Sequence, residues 1–375
     1  MRIAITGGTG FLGWHTSVRL QAIHRIDPII LGRDDLSDPE LLAAKVANAD
    51  VVIHLAGVNR AETDEKVEHG NAQLAVRLSS AIRRTGKSMH VVYGNSSQSQ
   101  FDSPYGRGKA AAGELLNQAV ASVGGAYANV VLPNIFGEHG KPHYNSFVAT
   151  FCHEIAHSRE PKLNDDRVIP LLHAQAAAEV LIQAAMGRTN GSVVPAGEPH
   201  AVSEILARIQ GFKIVYDRGE IPDLSERFAV DLFNTYRSYV FPQHFPFKAA
   251  VHADSRGSLF ETVRAHGGSG QTFVSTTVPG ATRGEHFHLR KFERFFVVAG
   301  EAEISLRRLR GSEVIRFRLR GTEPAFVDMP TMWVHNIRNV GKSDLITMFW
   351  ADQLLDNDDP DQYPEQVLAI KEAHP

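Results

Sequence analysis

Arg2–Gly13 reads RIAITGGTGFLG, and the fold of the first half of the chain follows from it. Arg2–Thr6 is a short apolar strand. It enters Gly7-Gly8-Thr9-Gly10-Phe11-Leu12-Gly13 directly, and a helix is expected from Phe11 to Ala22. Glycines at the first, fourth and seventh positions let the backbone turn sharply and approach a pyrophosphate, which then rests on the helix N-terminus. Set between a strand and a helix, the motif predicts a dinucleotide site at Gly7, Thr9, Gly10, Phe11, Leu12 and Gly13. The plain alternative is a glycine turn with no ligand.

Asp27–Leu31 is the second strand, and Gly32-Arg33-Asp34 follows it. An enzyme that prefers NAD carries an acid here for the ribose hydroxyls. Arg33 instead suits a 2′-phosphate, so the reading favours NADPH; Asp34 leaves NADH open. Val51–Leu55 is a continuous apolar strand ending in Ala56-Gly57, as a buried parallel strand would, and small residues there leave room for a cofactor beside Leu55, Ala56 and Gly57. Asn71 precedes an amphipathic helix over Leu74–Arg84 and can bond either cofactor or main chain. His90–Tyr93 opens into Gly94-Asn95-Ser96-Ser97, and Asn129–Leu132 into Pro133-Asn134. Strand and helix alternate, which predicts an α/β doubly wound parallel sheet of Rossmann type with ligands outside the strands' carboxyl ends.

Between the fourth and fifth strands lies Asp102–Leu116, DSPYGRGKAAAGELL. Pro104 suits a first helical position, and Ser103 or Asp102 can cap. Tyr105 and Lys109 are four apart and share one helix face. A nearby ammonium favours a phenolate, so the pair can relay a proton to or from an alcohol. A surface helix with a half-buried tyrosine is the plain alternative.

The totals exclude several classes. A formal net charge of −3 gives no electrostatic case for nucleic acid or an anionic membrane. Cys152 is the sole cysteine, so neither an intrachain disulfide nor a thiolate metal cluster can form. No uncharged apolar run is long enough to span a bilayer, and the N-terminus reads as strand rather than signal peptide; a cytoplasmic location is expected. At 375 residues the length suggests more than one domain.

From Val251 the texture changes to short strands and close glycine turns, predicting an antiparallel barrel or sandwich. The expected division is 1–244 and 245–375. Inside the second part stand Gly280-x5-His286-x-His288-x4-Glu293-x6-Gly300 and Pro330-x4-His335-x3-Asn339. Period-two spacing puts His286 and His288 on one strand face. Three imidazoles and a carboxylate, with Glu293 and His335, suit Zn²⁺ or another divalent first-row ion. The plain alternative is a metal-free barrel with core histidines.

These motifs carry two resemblances. The N-terminal part resembles an extended short-chain dehydrogenase/reductase of the nucleotide-sugar-modifying kind. That implies Tyr105 as general acid/base, Lys109 as its partner and a serine after the fourth strand as the substrate-oxygen ligand. Ser96 is favoured for that serine, Ser97 second. It also implies that Ser96, Ser97, Asn134, Lys141, His143 and Asn145 face a sugar nucleotide, while Pro133 lies by the cofactor. Two departures stand out. Asn95 interrupts the usual serine run, and Leu171–Val180, LLHAQAAAEV, lacks the acid pair that relatives often carry. The C-terminal part resembles a cupin, with Met332 where the second motif usually has glycine.

The whole layout resembles the CapF/WbjC-type bifunctional enzymes of capsular-polysaccharide synthesis, through HLAGVNR (54–60), PYGRGK (104–109), PNIFG (133–137), KPHYNSFVATFC (141–152) and FFVVAG (295–300). The resemblance implies a homodimer acting on a UDP-2-acetamido-2,6-dideoxy-4-keto-hexose. The barrel would epimerise C3, and NADPH would then reduce C4 to the L-talose product. Chemistry fixes that order: a C–H bond is acidic beside a ketone and not beside an alcohol. The competing readings are an NAD(P)-dependent 4-epimerase or dehydratase with a dimerising barrel, and a cofactor-binding scaffold. A dehydratase would want an acid near Ser96, and none is evident.

Overall fold

The computed structural model describes residues 1–368. In chain order the first elements are β1 (Ile3–Thr6), α1 (Phe11–His24), β2 (Ile29–Leu31), α2 (Arg33–Ser37), α3 (Pro39–Ala47), β3 (Val51–His54), α4 (Asp64–Thr85), β4 (His90–Ser96), α5 (Pro104–Ser122), β5 (Ala126–Leu132) and β6 (Asn134–Phe136). Then come α6 (Phe147–Ala156), β7 (Val168–His173), α7 (Ala174–Met186), β8 (Gly191–Val193), β9 (Glu198–Ala201), α8 (Val202–Tyr216) and α9 (Arg227–Val240). The remainder is all strand: β10 (Phe247–Lys248), β11 (Val251–Asp254), β12 (Gly257–Phe260), β13 (Gln271–Thr277), β14 (Thr282–Phe287), β15 (Glu293–Ala299), β16 (Glu301–Arg308), β17 (Val314–Arg320), β18 (Ala325–Met329), β19 (Trp333–Asn339), β20 (Leu345–Ala351) and β21 (Tyr363–Pro364).

The first compact unit, Met1–Phe147 with Leu163–Ser203, is built on a six-stranded sheet in the order β2-β1-β3-β4-β5-β8. Every pair in it is parallel. The order reverses between β1 and β3, so the crevice for a ligand opens there. Alternate strand residues feed opposite cores. Ala4, Val52 and Val91 pack with Leu42, Val46, Leu78, Ile82 and Leu116 of α3, α4 and α5. Ile5, Ile53 and Val92 pack with Leu20 of α1 and Leu181 and Ile182 of α7. Strands buried on both sides read as unbroken apolar runs, which is why Val51–His54 was legible. A small sheet, β6-β7-β9, completes the unit.

The second unit, Val148–Lys162 with Glu204–Pro375, holds two five-stranded antiparallel sheets, β10-β18-β15-β20-β13 and β17-β16-β19-β14-β21. The compact units do not coincide with a single cut at 244/245, because nearly all of α6, with α8 and α9, falls in the second unit. A fully buried polar cluster joins α8 and α9 to the strands. Arg294 of β15 pairs in two-pronged fashion with Asp328 of β18 at 2.7 and 3.0 Å. Tyr216 of α8 donates to Asp328 at 2.8 Å. Arg237 of α9 donates to the Tyr216 hydroxyl at 3.3 Å and to the Met329 carbonyl at 2.9 Å. Arg294 and Asp328 are both 0% exposed, so each charge depends on the other.

Candidate active site and metal centre

The glycine loop has the shape that a dinucleotide requires. Gly7 sits at φ +69°, and a Cβ there would lie 2.8 Å from the Ala56 nitrogen. A Cβ on Gly13 would lie 2.1 Å from the Gly7 carbonyl oxygen. The Gly10 N–H closes the turn on Gly7 at 2.9 Å. No side chain caps α1 at Gly10, so nothing from the protein competes with an anion at its N-terminus. These residues fit a pyrophosphate. Thr6 braces the loop from behind: its hydroxyl accepts the N–H groups of Leu55 and Ala56 at 3.1 Å each and bonds His54 Nδ1 at 2.8 Å.

Arg33 opens α2, exposed, and its guanidinium has no ion pair among the described residues. Of the acids beside it, Asp35 is consumed: it accepts the Gly32 N–H at 2.8 Å and pairs with Lys45 at 2.6 Å. Asp34 stays exposed. Asn71 is only 2% exposed and turns to the main chain. Its amide donates to Val58 and Val67 oxygens at 2.7 and 2.8 Å, and its oxygen accepts the Val58 N–H at 3.1 Å. Of the two roles open to Asn71, the structure therefore supplies the main-chain one, pinning the segment after β3.

Ser96, Tyr105 and Lys109 converge at the carboxyl ends of β4 and β5. Ser96 ends β4, and α5 begins at Pro104 with Ser103 as its cap, accepting the Gly106 N–H at 3.1 Å. Burial pushes the Tyr105 phenol upward, and the neighbouring Ser96 side chain only partly opposes it. The direction is opposite to the depression expected from Lys109. Lys109 is itself 5% exposed, and burial brings its ammonium down from 10.5 to about 7. Its Nζ donates to the Gly94 oxygen at 2.7 Å and lies 4.3 Å from the ring centroid of Tyr93. Asn95, the departure from a serine run, accepts the Ser96 N–H at 2.8 Å and donates to Asn129 at 3.0 Å, fixing where β4 ends.

Ser97 begins the 3₁₀ turn Ser97–Gln100, and Pro133 and Asn134 join β5 to β6. Lys141, His143 and Asn145 are exposed on the following loop. Tyr144, which the sequence did not flag, organises that loop. Lys141 Nζ stands 5.2 Å and the Arg60 guanidinium 5.7 Å from its ring. The missing acid pair in Leu171–Val180 is replaced by a buried set: His173 bonds Glu138 at 3.0 Å, His15 bonds the Glu138 carbonyl at 3.0 Å, and Gln175 bonds His15 at 2.8 Å. Burial would raise the Glu138 carboxyl, but the neighbouring histidines hold it at about 2. A different chemistry thus ties α7 to the loop.

In the second unit His286, His288, Glu293 and His335 come together, their ligand atoms all within 4.8 Å of one another. β14 and β19 bring His286 and His335 opposite each other in register. Glu293 Oε2 lies 3.4 Å from His288 Nε2 and 3.7 Å from His335 Nε2. None of the three Nε2 atoms has a hydrogen-bond partner, although all are buried. In two of them the other nitrogen faces a carbonyl oxygen: Asp361 for His288 at 2.6 Å and Trp333 for His335 at 3.1 Å. A carbonyl can only accept, so Nδ1 carries the proton and Nε2 offers a lone pair. Burial and the adjacent imidazoles hold His286 at about 3, hence neutral. Burial would raise Glu293, but His288 and His335 hold it well below the usual range. Three buried imidazole Nε2 atoms and one carboxylate are the four donors of a tetrahedral divalent ion. Met332, in the usual glycine's place, adopts φ +60°, the left-handed conformation that favours glycine.

The fold and the first site thus define a dinucleotide-dependent oxidoreductase carrying a second unit built on antiparallel sheets. The chain belongs to the NAD dependent epimerase/dehydratase family, whose model matches residues 3–194, and it is an NAD(P)-dependent oxidoreductase of that family. Residues 252–363 match the polysaccharide biosynthesis C-terminal domain. The chain is 30% identical to the UDP-2-acetamido-2,6-beta-L-arabino-hexul-4-ose reductase of Pseudomonas aeruginosa, over 97% of its own length and 98% of that protein. The capsular polysaccharide assembling protein CapF of Staphylococcus aureus, a solved structure, is 31% identical at a TM-score of 0.63, covering 98% of this chain and all of that one. A dTDP-glucose 4,6-dehydratase of Mycobacterium tuberculosis matches only 44% of this chain, at 28% identity. Among the described residues no helix is long and apolar enough to cross a membrane.

Proposed function

We propose that the chain is a bifunctional nucleotide-sugar enzyme that epimerises C3 of a UDP-2-acetamido-2,6-dideoxy-4-keto-hexose and then reduces C4 to the L-talose product. The observation that carries the reading is end-to-end likeness to a reductase of a 4-keto sugar nucleotide in a chain that holds two separate polar clusters. The reductase role goes to residues 1–244 and the epimerase role to the cupin-like part, 245–375. The protein acts as a homodimer in the cytoplasm.

NADPH supplies the hydride, its 2′-phosphate taken by Arg33 and its pyrophosphate by Gly7–Gly13. Within the site Ser96 positions the C4 carbonyl and Tyr105 gives the proton to O4. The proximity of the Ser96 side chain to the Tyr105 phenol supports this pairing. Lys109 holds the charge that restores the tyrosine's proton. Lys141, His143, Asn145 and Asn134 contact the UDP-sugar. His286, His288, Glu293 and His335 would hold zinc or another divalent first-row ion, which supplies Lewis acidity toward a ketone oxygen when bound.

Incubating the 4-keto sugar nucleotide in deuterated buffer and following products by NMR tests the proposal. Without NADPH, deuterium should enter at C3; with NADPH, one equivalent should be oxidised and the C4 alcohol appear. Recycling of the cofactor without net oxidation would favour the 4-epimerase reading instead.

A further inference from the structure

The segment Asp359–Val367 closes on the turn that carries the metal-ligand candidates, and one residue in it makes four contacts there. Asp361 is 2% exposed. Its carboxylate accepts the N–H groups of Leu289, Arg290 and Lys291 at 3.2, 3.0 and 2.8 Å. Its own carbonyl oxygen accepts the proton of His288 Nδ1 at 2.6 Å. The turn between His288 and Glu293 therefore hangs from Asp361, and so does the tautomer that presents His288 Nε2 to the cluster.

The chain on either side of Asp361 is anchored to the same elements. Tyr363 and Pro364 pair with Phe287 and His286 on β14, and the rings of Tyr363 and Phe287 stack at 5.3 Å. Glu285 accepts the Val367 N–H at 2.7 Å. Arg307 donates to the Val367 carbonyl at 2.8 Å and to Glu365 at 2.7 Å. A ladder, a ring stack and a buried carboxylate all join this strap to the strand bearing His286.

We infer that the strap is part of the metal centre, with Asp361 as its positioning residue, so that strap docking and metal occupancy are thermodynamically linked. The inference rests on reading His286, His288, Glu293 and His335 as a metal site. Linkage is reciprocal: whatever affinity the docked strap adds to the metal, bound metal returns to the docking of the strap.

Two measurements on the full chain test it. Zinc affinity is read by competition with a chromophoric chelator for wild type, Asp361→Ala and Asp361→Asn. Alanine should weaken it by about 10–100-fold, the scale for an outer-shell partner. Asparagine, which keeps one acceptor oxygen, should weaken it less. Amide hydrogen exchange across 359–367 is then compared in zinc-loaded and chelator-stripped wild type, with faster exchange expected in the stripped protein. This arm decides the matter if Asp361→Ala does not fold. Wild-type affinity in Asp361→Ala together with strap exchange indifferent to zinc would overturn the linkage alone. Failure of wild type to bind zinc at all would overturn the metal site and the linkage with it.

Discussion

Lys109 Nζ lies 4.3 Å from the ring centroid of Tyr93, and the Tyr93 hydroxyl donates back to the Lys109 carbonyl at 3.0 Å. Tyr93 in turn stacks on His54, its register partner, and His54 bonds Thr6, the register partner of His54 on β1. Three neighbouring strands thus carry these side chains at one height, leading from the glycine loop to the lysine. An aromatic face attracts a cation that burial disfavours. Burial still dominates, and Lys109 titrates near 7.

That position gives a pH signature. The kcat/KM for ketone reduction, which reports the free enzyme, should fall as pH rises through about 7 and the ammonium is lost. Stability should move the other way. Between about 7 and 10.5 the unfolded chain binds the proton that the folded chain has released, so stability rises with pH across that window. Below it the burial cost is complete. Lys109→Met should abolish reduction yet stabilise the nucleotide-free protein at pH 6–7 by roughly 1–2 kcal/mol, the rest of the burial cost being offset by the lost hydrogen bond and ring contact. The gain should shrink toward pH 10. Denaturant melts at several pH values check both signs.

Tyr105→Phe removes the proton donor and leaves the ring. Reduction should fall by about 10²–10⁴-fold, the usual reach of a positioned acid. Solvent deuterium exchange at C3 should continue, because that step is assigned to the other unit. Loss of both activities in a folded variant would show that the two steps are not divided as proposed.

Arg33 has no carboxylate partner among the described residues, whereas Asp35 is tied to Gly32 and Lys45. Arg33→Ala should therefore weaken NADPH binding at least tenfold and leave NADH binding nearly unchanged, as followed by nucleotide fluorescence. Equal losses for both nucleotides would take the 2′-phosphate away from Arg33.

His286 is the half-buried member of the metal-ligand set, so its removal disturbs packing least. His286→Ala should lower zinc per chain from one towards zero by elemental analysis, with the melting profile of the metal-stripped protein little changed. Retention of full zinc would remove His286 from the ligand set.

Much of the sheet was legible because strands buried on both faces are largely apolar, as Val51–Ile53 is. The closeness of His286 and His288 was legible because their spacing is a strand's own period. What escaped was structure whose signal is polar and buried. Arg227–Val240 is a fourteen-residue helix buried along most of its length, and Asp231, Asn234, Thr235 and Arg237 are among its buried residues. Helix α4 was expected at Leu74–Arg84 and begins ten residues earlier at Asp64, because its first turns carry few apolar side chains. Thr6, His54 and Tyr93 did leave a trace: each follows an apolar run with a polar group, at matching register. Asp361 left none, since a distant carboxylate that caps a turn has no local pattern.

The buried pair Arg294–Asp328 makes the sharpest stability prediction. Both side chains are wholly buried, and Asp328 also takes the Tyr216 hydroxyl. Burial would raise the Asp328 carboxyl, but Arg294 outweighs it and holds the group below its ordinary value. Its contribution is therefore present above the ordinary carboxylate pKa and is lost as pH falls through the lowered one. Asp328→Asn keeps the shape and removes the charge, leaving Arg294 uncompensated over the Phe326 ring. A broken buried pair costs about 3–5 kcal/mol. Because Tyr216 and Arg237 bring α8 and α9 into the same cluster, the loss should appear in the second unit's unfolding transition and leave nucleotide binding by the first unit intact. Calorimetry with and without NADPH separates the two, and a variant melting as wild type at pH 7 would show that the pair adds nothing to stability.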